Sequence, residues 1–329
     1  MTGSTGPASG ALPMATGGLA DGAAYVTDGG LETDLIFHHG VDLPEFAAFP
    51  LLADEAGRAL LADYYRGYAP IATRAGSGLL LETPTWRANP DWGSLLGYSA
   101  EALGELNRRA VGFLRDLSRE VDGQVATVVV AGMIGPRGDG YQASAATAEE
   151  AADYHGAQVG SFAAADADLI SALTLTSVGE AVGIAWAAAA SGLPVTLAFT
   201  VETDGRLPDG TPLGSAIVEV DRQTGGSVSH FLVNCAHPRH IAEALGSPDS
   251  AWLARVGGLR VNASLLSHAE LDEAAELDEG DIEALADETA ELARRLPSVR
   301  VLGGCCGTDS RHVSAMWDRH VAPRGAAPA

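Results

Sequence analysis

Eight short apolar runs rich in Val, Leu and Ile recur along the 329-residue chain, with helix-like segments between them. They are AAYVTDGG near Val26, GLLLETPT near Leu80, QVATVVVAGMIGP near Val129, DLISALTLTS near Ser171, LPVTLAFTVE near Leu197, SHFLVNCAHP near Val233, GGLRVNAS near Val261 and SVRVLGGCCGT near Leu302. Strands that alternate with helices must lie parallel, because each helix returns the chain to the end where the previous strand began. Eight such units predict a closed (β/α)8 barrel in one domain rather than an open doubly wound sheet. We expect the barrel to span residues 23–323, with disordered tails at 1–22 and 324–329. The first segment has neither the basic start nor the apolar stretch of a secretory signal.

The intervening segments carry helix punctuation. Ser177 with Glu180, and Thr147 with Glu150, form the spacing of a capping box, in which each side chain bonds the other's backbone N–H. The helix opened by Ser177 should stop at Gly192, with Pro194 leading into the next strand. Asp281 is positioned to cap the segment IEALADETAELARRL.

Composition removes several classes of function. Hydrophobic residues make up 47% of the chain, enough for a large core, yet no apolar run approaches the roughly 20 residues of a membrane span. A net charge of −23 repels nucleic acid and anionic membrane, so small molecules are the expected partners. All 20 basic residues are Arg, which excludes a Schiff-base lysine and a P-loop lysine. Three cysteines, an odd number in a long chain, argue against a disulfide framework and for a reducing cytoplasm.

In a parallel barrel, chemistry gathers at the carboxyl ends of the strands. Those ends carry Asp28, Glu82 with Thr83, Gly135, Thr174, Glu202, Cys235, Asn262 with Ser264, and Cys305 with Cys306. All three cysteines therefore sit at strand ends, on the sixth and eighth strands, which one strand separates. Neighbours in a strand point to opposite faces. Cys305 and Cys306 can reach one point if the backbone leaves strand geometry, which Gly303, Gly304 and Gly307 permit. Three thiolates with a vacant fourth position form a catalytic zinc geometry, since structural sites fill all four. The vacancy suits a soft ligand such as a substrate thiol. Zinc strips the proton from a thiol whose free pKa is about 8.5, and the thiolate can then attack a methyl carbon on a cationic leaving group. A lone buried cysteine is more often packing.

Taken together, these segments resemble the homocysteine S-methyltransferase family over roughly Val26 to His312. The resemblance rests on DGGLETDL from Asp28, GPRGDGY from Gly135, TAEEAADYHGAQV from Thr147, DGTPL from Asp209, VNCAHP from Val233, VNAS from Val261, and GGCCGT from Gly303 followed by His312. It implies a (β/α)8 barrel with Zn2+ on Cys235, Cys305 and Cys306, methylating homocysteine to methionine. The donor would be S-methylmethionine, S-adenosylmethionine or betaine. A cobalamin route is not expected, because a short tail alone follows residue 323.

The resemblance further implies that Asp28 meets the acceptor's amino group, a role we favour over the competing one of opening the turn into Gly29 and Gly30. It puts Trp86 near the donor, where a cationic methyl on the indole face would gain roughly 0.5–2 kcal/mol. The competing role is packing. We take Asp28, Glu82 and Trp86 as candidate catalytic residues, and Asp28, Thr174, Glu202, Asn234 and Asn262 as candidate substrate contacts. One departure stands out. Where the family has a Glu-Thr pair after the fourth strand, this chain has Leu173 before Thr174, and leucine cannot accept a hydrogen bond from an ammonium. Either Glu202 or Glu82 substitutes, or the acceptor is another thiol or a selenol. A non-catalytic zinc- or ligand-binding barrel is the third reading. Arg137, in a Gly-rich loop, is a candidate for a substrate carboxylate, and His237 and His312 are candidates for support of the metal ligands. The acidic stretch Glu270 to Glu283 reads as a solvated loop or helix face.

Overall fold

The structure, a computed structural model, describes residue 19, residues 22–274 and residues 276–321. Most of both expected tails therefore lies outside the described residues. Eight parallel strands close into a barrel in sequence order. They are β1 (Tyr25–Val26), β2 (Gly78–Glu82), β3 (Val128–Ile134), β4 (Leu169–Leu175), β5 (Val195–Phe199), β6 (His230–Ala236), β7 (Val256–Val261) and β8 (Val301–Gly304). Each coincides with one of the eight apolar runs. The two-residue β1 completes the ring by pairing with both β2 and β8. No helix among the described residues is long and apolar enough to cross a membrane.

The side-chain period of two divides each strand between two cores. Outward residues such as Val130, Ile170 and Leu302 pack against the helical ring, while Leu80, Val129, Ala131, Met133, Leu169, Leu173 and Val301 fill the barrel. The same alternation turns Glu82, two residues beyond Leu80, and Ser171, midway between Leu169 and Leu173, into the interior. There Glu82 accepts from Ser171 and pairs with Arg260, and a charged layer lies under the barrel mouth.

Thr147 forms the complete capping box with Glu150 on the helix Ala148–Ala163, and Asp281 caps Ile282–Arg294 as expected. Ser177 caps Val178–Ala190, but its box is half made. Glu180 does not return to the cap. It is fully buried, accepting from the backbone N–H of Arg137 at 2.7 Å and lying 3.0 Å from His155 Nε2. Tertiary partners have claimed the carboxylate that a local rule assigned to the helix end. The helices 148–163 and 178–190 touch so closely at Gly183 that a Cβ there would sit 2.4 Å from the Ala148 carbonyl oxygen.

Candidate metal centre

Two strands break their regular course at the barrel mouth. Pairing of β4 with β5 shifts register between Ala172 and Leu175, and pairing of β6 with β7 shifts between Asn234 and Ala236. Within these irregularities Thr174 has φ of +62° and Cys235 has φ of +55°. A positive φ is costly for any residue with a Cβ, most of all a β-branched one, and persists where surrounding contacts over-determine it. Asn234 provides such contacts. Its Oδ1 accepts from the Thr174 N–H at 2.9 Å and its Nδ2 donates to Thr174 Oγ1 at 2.9 Å, tying one distortion to the other. Asn262 Nδ2 donates to the Cys235 carbonyl at 3.1 Å, and His268 Nε2 lies 2.7 Å from the same oxygen.

The twisted backbone aims Cys235 at the loop after β8. The sulfurs of Cys235, Cys305 and Cys306 all lie within 4.8 Å of one another, with Cys235 and Cys306 3.7 Å apart. Tetrahedral ligation with metal–sulfur bonds of about 2.3 Å asks for sulfurs about 3.8 Å apart. Spacing and donor type thus fit zinc. The thiols also perturb one another. Hydrogen bonds from Cys235 and Cys306 push Cys305 well below the ordinary thiol range, helped by the Arg260 charge, while the bond to Cys305 pushes Cys235 well above it. The cluster therefore favours negative charge on Cys305 over Cys235.

Tyr141 was not singled out from the sequence, although it ends the GPRGDGY segment. Its hydroxyl lies 3.2 Å from Cys235 Sγ and 3.7 Å from Cys306 Sγ. Burial and then the charges of Cys235, Cys306 and Cys305 hold its pKa well above the usual value, so it remains a donor to sulfur. Its ring stacks on His268 at 4.1 Å, and His268 Nδ1 lies 2.9 Å from Glu202 Oε1. Glu202, a candidate substrate contact, is thereby engaged with His268 rather than facing the cavity.

A cavity of about 390 Å³ opens over the sulfurs. Asp28, Trp86, Leu173, Thr174 and Asn234 line it, together with Glu32, Met133, Tyr141 and Arg260. Glu82 and Asn262 do not. The acidic stretch after β7 does more than face solvent: Leu271, Glu276, Leu277 and Asp278 form part of the wall, and Ser264 Oγ fastens the loop by donating to Asp278 Oδ2 at 2.6 Å. Trp86 is half-buried, its Nε1 donating to the Leu173 carbonyl at 3.4 Å, and the Arg87 guanidinium lies 5.2 Å from its ring centroid.

Arg260 was also missed. It is 3% exposed and ion-pairs with both Asp28 and Glu82, while donating to the carbonyls of Gly304 at 3.0 Å and Gly29 at 3.1 Å. Glu82 is further held by Thr27 at 2.9 Å and by Ser171. Asp28 also accepts from Tyr64 at 3.3 Å. Burial, opposed by Arg260 and reinforced by Glu82, raises Asp28 to about 6. A charged residue within the apolar run GGLRVNAS was the available sequence signal, since buried strands seldom carry one.

Arg137, His237 and His312 stand apart from the sulfurs. Arg137 pairs with Asp91 at the surface. His237 accepts from the Arg239 N–H. His312 contacts Asp309 and the Glu279 carbonyl.

The sequence model of a family described as homocysteine S-methyltransferase matches residues 25–319. Among solved structures, the homocysteine methyltransferase MmuM from Escherichia coli is similar in its metallated form, with a TM-score of 0.71 and 21% identity over 91% of this chain and 97% of that one. Its oxidized form gives a TM-score of 0.70 and 21% identity over 92% and 98%. Its apo form gives 0.61 and 21% over 91% and 97%. At this identity the likeness speaks to the fold. No match to a curated protein was found.

Proposed function

The chain belongs to the homocysteine S-methyltransferase family, and from that premise we propose that it transfers a methyl group from a sulfonium or quaternary ammonium donor to the homocysteine thiol at a zinc site formed by Cys235, Cys305 and Cys306. The observation that carries this reading is the convergence of three sulfurs within 4.8 Å on the wall of a 390 Å³ cavity. Zinc bound there would supply a Lewis acid that keeps the acceptor sulfur deprotonated at neutral pH.

The remaining work falls to the chain. Asn234 and Asn262 hold the strained backbone that aims Cys235. Tyr141 donates toward two sulfurs, which tempers their negative charge. Trp86 and Met133 give the cavity an apolar side against which a donor methyl can lie without competing water. As the acceptor sulfur bonds to the methyl carbon, the carbon's bond to the cationic sulfur or nitrogen breaks and the rest of the donor leaves as a neutral thioether or tertiary amine, so no general acid is required. MmuM is a homocysteine methyltransferase with a metallated form, which supports the same reading here.

Metal analysis of the purified chain should find about one zinc per chain, lost in Cys306→Ser. The zinc-loaded chain should form methionine from homocysteine with one of S-methylmethionine, S-adenosylmethionine or betaine. A metal-free wild type would refute the site. A second reading, a different thiol or selenol acceptor, is favoured by Leu173 on the cavity wall. Transfer to such a thiol without methionine formation would select it.

A further inference from the structure

The cavity wall holds more carboxylates than the methyl-transfer reading uses, and their partners differ. Asp28 is tied to Arg260. Asp139 accepts from the Tyr141 N–H at 3.3 Å. Asp278 accepts from Ser264 and from the Gly280 N–H. Glu32, half-buried on the same wall, takes no hydrogen bond from another side chain among the described residues. Its first turn is wedged against the cysteine loop: a Cβ on Gly30 would fall 2.6 Å from the Cys305 carbonyl oxygen, and Thr33 Oγ1 accepts from the Gly307 N–H at 3.2 Å. The charges acting on Glu32 are those of Asp28, Cys305 and Arg87, which sets it between Asp28 and the cysteine loop on the cavity wall.

We propose that Glu32 is the specificity-determining carboxylate that receives the ammonium of an α-amino thiol acceptor, a contact that Leu173 at the end of β4 cannot make. The inference rests on the thiol-acceptor reading above. The two carboxylates considered as substitutes from the sequence are already committed, Glu82 to Arg260 and Glu202 to His268. Asp28 and Glu82 share one guanidinium, so part of their charge is cancelled before any ligand arrives. Burial raises Glu32 to about 7. An arriving ammonium restores the charged form and gains a charge-assisted hydrogen bond.

The test compares two ligands that differ in the amine alone. Zinc-loaded wild type, Glu32→Gln and Glu32→Asp are titrated calorimetrically with L-homocysteine and with 4-mercaptobutyrate. Wild type should prefer homocysteine. Glu32→Gln should weaken homocysteine by about tenfold or more while leaving 4-mercaptobutyrate within about twofold, and Glu32→Asp should keep part of the preference. Equal weakening of both ligands, no weakening of either, or a wild type indifferent to the amine would overturn the inference. A wild type that binds neither thiol would reject the acceptor reading itself, and the inference with it. Matching thermal midpoints for the three proteins at pH 5 exclude a folding defect as the cause.

Discussion

Replacing Arg260 by Met should expose how much the barrel mouth depends on one guanidinium. The side chain bridges Asp28 on the loop after β1, Glu82 on β2, and the carbonyls of Gly29 and Gly304. Met fills much of the same volume but leaves two carboxylates, at 3% and 0% exposure, with hydroxyl partners from Tyr64, Thr27 and Ser171 and no positive charge. Breaking a buried pair in this way costs about 3–5 kcal/mol, a large share of a typical stability of about 5–15 kcal/mol. The cost should depend on pH. Burial already raises Asp28 from 3.8 to about 6, and Arg260 is what restrains the shift, so Arg260→Met lifts it further. A carboxyl with a raised folded-state pKa contributes stability that is present below its unfolded value and lost as pH rises through the folded one. The deficit of Arg260→Met, read by urea unfolding with tryptophan fluorescence, should therefore be largest at pH 8 and shrink at pH 5. Arg260→Met combined with Glu82→Gln removes one stranded charge and should recover about half the loss at pH 8. A deficit below about 1 kcal/mol at pH 8, or one that grows toward pH 5, would refute the idea that charge pairing rather than packing dominates here.

Three further outcomes can be checked. Tyr141→Phe removes a donor from two of the sulfurs proposed to hold zinc and should weaken zinc about tenfold in competition with a chelator; unchanged affinity would make Tyr141 a packing residue. Glu32→Gln should flatten the pH dependence of thermal stability, because wild type loses stability as Glu32 is forced to ionise between pH 4.5 and about 7. The gain at pH 8 is bounded at about 3 kcal/mol and trimmed by the water that reaches this half-buried group, and a variant less stable than wild type at pH 8 would contradict it. Gly183→Ala pushes a methyl to 2.4 Å from the Ala148 carbonyl oxygen and 2.5 Å from Ala151 Cβ, so calorimetry should register a loss of about 1–3 kcal/mol; a neutral result would mean that the two helices slide apart freely.

The chain's local order carried the fold. Alternating apolar runs located all eight strands, and side chains such as Thr147 and Asp281 marked helix starts, because backbone periodicity and capping act over a few residues and are written in consecutive letters. The cysteine cluster was legible for a related reason: in a barrel every strand end faces the same mouth, so assigning three cysteines to strand ends already confined them to one region. What the tertiary structure alone decided were the pairings across the mouth. Arg260 meets Asp28 across 232 positions of sequence, Tyr141 reaches Cys235 across 94, and His268 takes up Glu202 across 66. The positive φ at Cys235 and Thr174 likewise comes from Asn234 bridging two strands rather than from any local preference. Charge pairing and strain are settled by which groups share a low-dielectric space, and that neighbourhood exists once the barrel has closed.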